Sequence, residues 1–147
     1  MAITVRGVNN TLINAPTAPN EIDPEMVGAK VKWIYDSYEA SALAANAVIA
    51  FGPKLPAGAR IVDWIIDHDA LAGAAVTFRF GTLEDDDEFM TDTDCFAVDK
   101  KNMTDDGVTA QLGFEITAGD GQTLIITTSG ASAANGTIKV AVAYTAK

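Results

Sequence analysis

Apolar and polar side chains alternate through most of this chain with the two-residue period of a strand. The clearest run is Val76-Thr77-Phe78-Arg79-Phe80. Val76, Phe78 and Phe80 share one face, and Thr77 and Arg79 share the other. A second strand is predicted over residues 59–67, which are dense in β-branched side chains and carry Trp64. It starts after Pro56-Ala57-Gly58, where proline fixes φ and glycine tolerates a positive one. A small-residue break at 69–73 separates the two strands. Residues 55–82 therefore form the centre around which the chain is organised.

The same period places further strands on either side. Val31, Trp33 and Tyr35 alternate with Lys32, Ile34 and Asp36. Residues 39–46 are alanine-rich and read as a connection between strands. Residues 47–51 make a short strand, stopped by Gly52-Pro53. Residues 108–117 return to the strand pattern, with Leu112, Phe114 and Ile116 on one face. Ala118-Gly119-Asp120-Gly121 is a turn signal, and a strand follows over 123–128. Residues 129–136 read as a turn. The last strand spans 137–145, with Ile138, Val140, Val142 and Tyr144 inward and Lys139, Ala141 and Ala143 outward. Only residues 83–106 break the rhythm. They read as a long acidic excursion, with one helical turn near 94–100, and a loop of that length is usually functional or interfacial.

Seven or eight strands with no βαβ rhythm imply two packed antiparallel sheets, of jelly-roll or immunoglobulin-like topology. The chain has a single cysteine, so the Cys…Trp…Cys spacing of immunoglobulin domains is missing. The expected fold is all-β, an antiparallel β-sandwich of jelly-roll type carrying an extended N-terminal arm.

The arm is residues 1–27 and the sandwich domain residues 28–147. Pro16, Pro19 and Pro24 exclude a helix from the arm and disfavour a central strand. Yet Ile3, Val5, Val8, Leu12 and Ile13 are too apolar for a purely solvated tail. An arm that packs on a neighbouring subunit or partner accounts for both features; the alternative is a loose terminus. The expected partner-binding residues are Ile3, Val5, Arg6, Val8, Leu12 and Ile13.

Composition narrows the functional classes. The chain has 147 residues, 48% of them hydrophobic, enough for one domain with a real core. Its formal net charge is −10, which repels phosphate backbones and argues against nucleic-acid binding. No apolar run approaches the roughly twenty residues of a membrane span. The N-terminus lacks the basic-then-apolar pattern of a signal peptide. Cys95 cannot form an intrachain disulfide and reads as a small buried hydrophobe.

Candidate chemistry is sparse. Glu84-Asp85-Asp86-Asp87-Glu88 offers oxygens to Ca²⁺, which takes about six to eight, but it lacks the alternating ligands, central glycine and distal glutamate of an EF-hand. A solvated loop is the simpler reading. His68 sits between Asp67 and Asp69, which point to the opposite face of a strand from it. It is the only histidine, and it has no nearby cysteine with which to bind zinc. There is no Gly-x-Ser-x-Gly elbow, Walker A loop or dinucleotide fingerprint. Trp33, Trp64 and the tyrosines would suit a sugar-stacking platform, although aromatics at strand spacing more often belong to a core. No enzyme activity, cofactor or metal is expected.

Four stretches together resemble a known family: Val5-Arg6-Gly7-Val8-Asn9-Asn10-Thr11; Gly28-Ala29-Lys30-Val31 leading to Tyr35-Asp36-Ser37-Tyr38; Lys54-Leu55-Pro56-Ala57-Gly58-Ala59-Arg60-Ile61; and Phe80-Gly81-Thr82. In this order they are similar to small head decoration or capsid cement proteins of tailed bacteriophages. The resemblance covers most of the chain. It implies a virion structural protein with a β-sandwich body and an extended arm, bound to the major capsid protein on the outside of an assembled capsid. It also implies a homo-oligomer, with a trimer favoured. The alternative is a carbohydrate- or receptor-binding β-sandwich of a phage fibre or tail. The acidic excursion 83–106 matches no part of the family pattern.

Overall fold

Strand-forming runs separated by glycine and proline turns close into two four-stranded antiparallel sheets. A computed structural model describes residues 30–71, 76–95, 97–108, 111–130 and 134–146. The strands are β1 (Val31–Leu43), β2 (Val48–Leu55), β3 (Arg60–His68), β4 (Val76–Thr82), β5 (Met90–Asp94), β6 (Asp99–Asn102), β7 (Gln122–Gly130) and β8 (Ala134–Thr145). One sheet has the order β1-β8-β3-β6 and the other β2-β7-β4-β5. Only β4 and β5 are both consecutive in sequence and paired. The remaining connections cross between sheets, as in the two Greek keys of a jelly roll. The sandwich class expected from the sequence is therefore the observed one.

The two central strands of the sequence reading, β3 and β4, lie in different sheets and face each other across the core. Ile61, Trp64 and Ile66 project from one, and Val76, Phe78 and Phe80 from the other; all are buried. Ile61 and Trp64 are three residues apart, so strict alternation would put them on opposite faces. A bulge in the β3–β8 pairing between Ile61 and Asp63 brings both inward. Trp64 meets Phe80 nearly edge-on with ring centroids 5.5 Å apart. Phe80 continues to Phe89 at 5.3 Å, and Phe89 to Phe114 at 5.5 Å. This chain of rings runs through the middle of the sandwich.

Five expectations are corrected. Residues 39–46 are not simply a connection: β1 runs to Leu43, because its pairing with β8 continues through a bulge to Leu43 and Ala134. Ala42, at φ 49°, donates its N–H to Asn135 Oδ1 at 2.8 Å. Gly52-Pro53 does not stop β2. Gly52, at φ 60°, makes a bulge, and pairing resumes at Leu55 with Gln122. The excursion 83–106 contains two short edge strands, β5 and β6, and no helical turn forms over the described residues of 94–100. The described residues of 108–117 form no strand. Gly113, at φ 80°, turns the chain, leaving Leu112 75% exposed while Ile116 is buried. The segment is instead held along the start of β3 by Gly58 N–H to Ile116 O, Ile116 N–H to Ala59 O and Ile61 N–H to Phe114 O, all within 2.9 Å. Finally, both ends of 129–136 are strand and not turn, since β7 extends to Gly130 and β8 starts at Ala134.

Candidate interaction surface

β1 is an edge strand of thirteen residues, and only Ile34 and Ala40 in it are buried. Its aromatic and β-branched residues make it a strand. Ile34 anchors it to the core, and Asp36 Oδ2 accepts the N–H of Gly52 on β2 at 2.7 Å. The alternate set Val31, Trp33 and Tyr35 points away from the core. Trp33 is 58% exposed and Tyr35 69%. Register places Trp33 opposite Ala143 and Tyr35 opposite Ala141 on β8, and Ala141 opposite Ile65 on β3. With only alanine on the middle strand, a shallow groove of about 340 Å³ opens between Tyr35 and Ile65. Asp67, Lys100 and Lys139 line one end of it, with Lys139 Nζ 3.8 Å from Asp67. Sequence periodicity found this strand but not which of its faces is the outer one. The usable signal was on β8: Ala141 and Ala143 read as outward, so whatever pairs beside them faces outward too.

The opposite edge of the molecule is acidic. Residues 83–106 contain ten Asp or Glu and two Lys, so they carry −8 of the chain's net −10. The loop after β4 is wound tightly: Thr82 N–H donates to Asp85 O at 2.7 Å, and Asp85 N–H to Thr82 Oγ1 at 3.3 Å. The carboxylates of Asp85, Asp86 and Asp87 lie within 4.8 Å of one another. Arg79 Nε is 3.3 Å from Asp86 and 3.8 Å from Asp92. A hydrogen bond shared with Asp85, then burial and the neighbouring negative charges, raise the Asp87 carboxyl above its ordinary range. Burial, followed by repulsion from Asp85, raises Glu88. Across the sandwich end, the N–H of Thr137 holds Asp69 below its ordinary value. The ammonium of Lys101, at 2.6 Å, does the same for Asp99.

These shifts have opposite signs in stability. Asp69 and Asp99 stabilise the fold above their unfolded-state values, and that contribution is lost as pH falls through their lower folded ones. Asp87 and Glu88 are raised, so ionising them at neutral pH opposes folding, and the penalty fades as pH falls through their folded values. Asp87→Asn with Glu88→Gln is therefore expected to raise the urea midpoint at pH 7. The gain should vanish where both carboxyls are already protonated. A gain that is larger in acid would show that the sign is wrong.

His68 and Cys95 are both buried. His68 closes β3, its Nδ1 2.8 Å from Asp69 O and its ring edge-on to Phe78 at 5.1 Å. Cys95 Sγ–H donates to Val76 O at 3.2 Å, and burial pushes the thiol pKa up to about 11. Cys95 is thus expected to resist thiol reagents at pH 8 in the folded protein and to react at once in urea. Rapid labelling of the native chain would contradict this burial.

The residues expected from the sequence to bind a partner, Ile3, Val5, Arg6, Val8, Leu12 and Ile13, lie outside the described residues. The surface that is described, the β1 row, was not among them.

No protein-family model matches the sequence, and no curated protein matches it. Solved structures share its fold. A chain of the cyanophage Pam1 capsid asymmetric unit superposes with a TM-score of 0.70 at 17% identity, covering 92% of this chain and 96% of that one. A chain in the capsid of Ralstonia phage GP4 superposes at 0.61 with 18% identity, covering 92% of each. At such identities the likeness is one of fold.

Proposed function

We propose that this chain is a non-enzymatic structural protein of a tailed-bacteriophage virion, bound to the major capsid protein on the outer surface of the capsid. The observation that carries the reading is near-complete mutual coverage of two chains from phage capsid structures. In both, the shared fold spans almost the whole of the matched capsid chain. The sequence resemblance to capsid decoration proteins points the same way. A protein that binds the assembled shell and not its free subunits stabilises the shell by mass action, by about 2.7 kcal/mol per site at a hundredfold excess over Kd. A homotrimer bridging neighbouring capsid subunits would place several such contacts on each seam.

The test is co-sedimentation with capsids assembled from the major capsid protein of the same phage. The full chain is expected to pellet with the shell and raise its melting temperature. A chain lacking residues 1–27 is expected to stay folded and soluble but to bind much more weakly. If the full chain stays in the supernatant and leaves the melting of the shell unchanged, the proposal fails. If the truncated chain binds as tightly as the full one, the arm has no part in it.

Exposed Trp33 and Tyr35 favour a second reading, a carbohydrate- or receptor-binding module, since stacking platforms use such rings. That reading requires saturable glycan binding by the full chain that is lost in Trp33→Ala.

A further inference from the structure

We infer that the groove beside Trp33 and Tyr35 is the acceptor site for the apolar N-terminal segment of a second copy of this chain. The exposed row Val31-Trp33-Tyr35 forms an apolar strip on the outer face of the β1-β8-β3-β6 sheet, and at its Tyr35 end a groove opens over Ala141 of β8. An exposed strip built from large rings marks an interaction surface more often than a solvated one. Each aromatic ring that is covered removes a large apolar area from water.

The chain supplies a matching occupant. Residues 3–13 hold Ile3, Val5, Val8, Leu12 and Ile13, and their only charge is Arg6. The two parts are joined at residue 30, immediately before Val31, where the row begins. The intervening residues 14–29 contain Pro16, Pro19 and Pro24. Sixteen residues can span at most about 55 Å. A body of roughly 120 residues has a radius of gyration of about 13 Å, hence a width of about 35 Å. From Val31 to Tyr35 the row is only about 13 Å long. That reach exceeds both lengths, enough to seat the apolar segment on the same row of a neighbour. Repeated head to tail, such an exchange is a heterologous contact, which makes a cyclic oligomer when the rotation between copies closes.

The experiment uses the free full-length protein, without capsids, so its outcome is separate from that of shell binding. One preparation carries a cysteine at Val5, Val8 or Leu12, another carries Tyr35→Cys, and the two are mixed and treated with a short thiol cross-linker. Buried Cys95 provides a silent background. At least one arm position is expected to give an inter-chain product. No product, or a product only when both cysteines are on the same chain, would overturn the proposal. Alongside, Trp33→Ala with Tyr35→Ala should weaken self-association at least tenfold, about as much as deleting residues 1–27. Combining the two should add nothing further, because both remove the same contact. Additive losses would show that the arm docks elsewhere.

Discussion

Trp64→Ala is expected to lower the unfolding free energy by about 3–5 kcal/mol, the range for removing a large aromatic side chain from a core. Trp64 has no exposed surface and sits between the sheets against Phe80. Its indole N–H donates to Gln111 Oε1 at 3.0 Å. Gln111 in turn donates through Nε2 to the carbonyl oxygens of Glu88, at 3.1 Å, and Phe89. One side chain thus ties β3 to the segment before β5 and to the irregular stretch around residue 111. Removing it opens a void and leaves a buried amide oxygen unpaired, which adds a polar penalty to the apolar one. Trp64→Phe keeps most of the ring and loses the hydrogen bond, so it should cost much less. The measurement is the urea midpoint at unchanged m-value. A loss below about 1 kcal/mol for Trp64→Ala would mean that the core can collapse around the gap, contrary to the packing described.

What the sequence made legible follows from what periodicity encodes. In β4 and β8 one face is apolar and buried, so alternation located the strand and its inner face together. In β1 alternation located the strand without telling which face is inner. The larger side chains, Trp33 and Tyr35, are the outer set, and Ile34 alone does most of the anchoring. A period of two has no sign; only the neighbouring strand supplies it. β5 and β6 were invisible for another reason. Asp99-Lys100-Lys101-Asn102 has no apolar alternation at all, yet it pairs with β3 along residues 65–68. Lys101 lies nearly buried with Asp99 at 2.6 Å and Asp106 at 3.9 Å. Such edge strands are held by their partner and not by their own propensity. The stretch before Ile116 misled because Gly113 and the buried Gln111 turn an apparent strand into a plug beside β3. The candidate site divides in the same way. The apolar character of residues 3–13 was plain in the sequence, but the surface fitted to receive it appears only once β1 and β8 are paired.

Gly121→Ala should be the most damaging of the glycine substitutions in the turns, at about 2–4 kcal/mol, combining left-handed strain with a backbone clash. Gly121 has φ 76°, and a Cβ there would lie 2.2 Å from the carbonyl oxygen of buried Leu55. That oxygen belongs to the residue pairing with Gln122, where the β2–β7 ladder resumes after its bulge. It cannot retreat without breaking the end of the second sheet. Two neighbours separate the terms. Gly113 has φ 80° but open space around it, so Gly113→Ala should cost only the conformational strain, about 1–2 kcal/mol. Gly119 has neither a positive φ nor any atom within 4 Å, and Gly119→Ala should be close to neutral. Equal urea midpoints for the Gly121 and Gly119 variants would refute the close approach. Because Trp33 and Tyr35 lie on the other sheet, Gly121→Ala should lower stability while leaving self-association of the folded fraction unchanged. Trp33→Ala should do the reverse, and that opposition separates what holds the sandwich together from what joins one copy to the next.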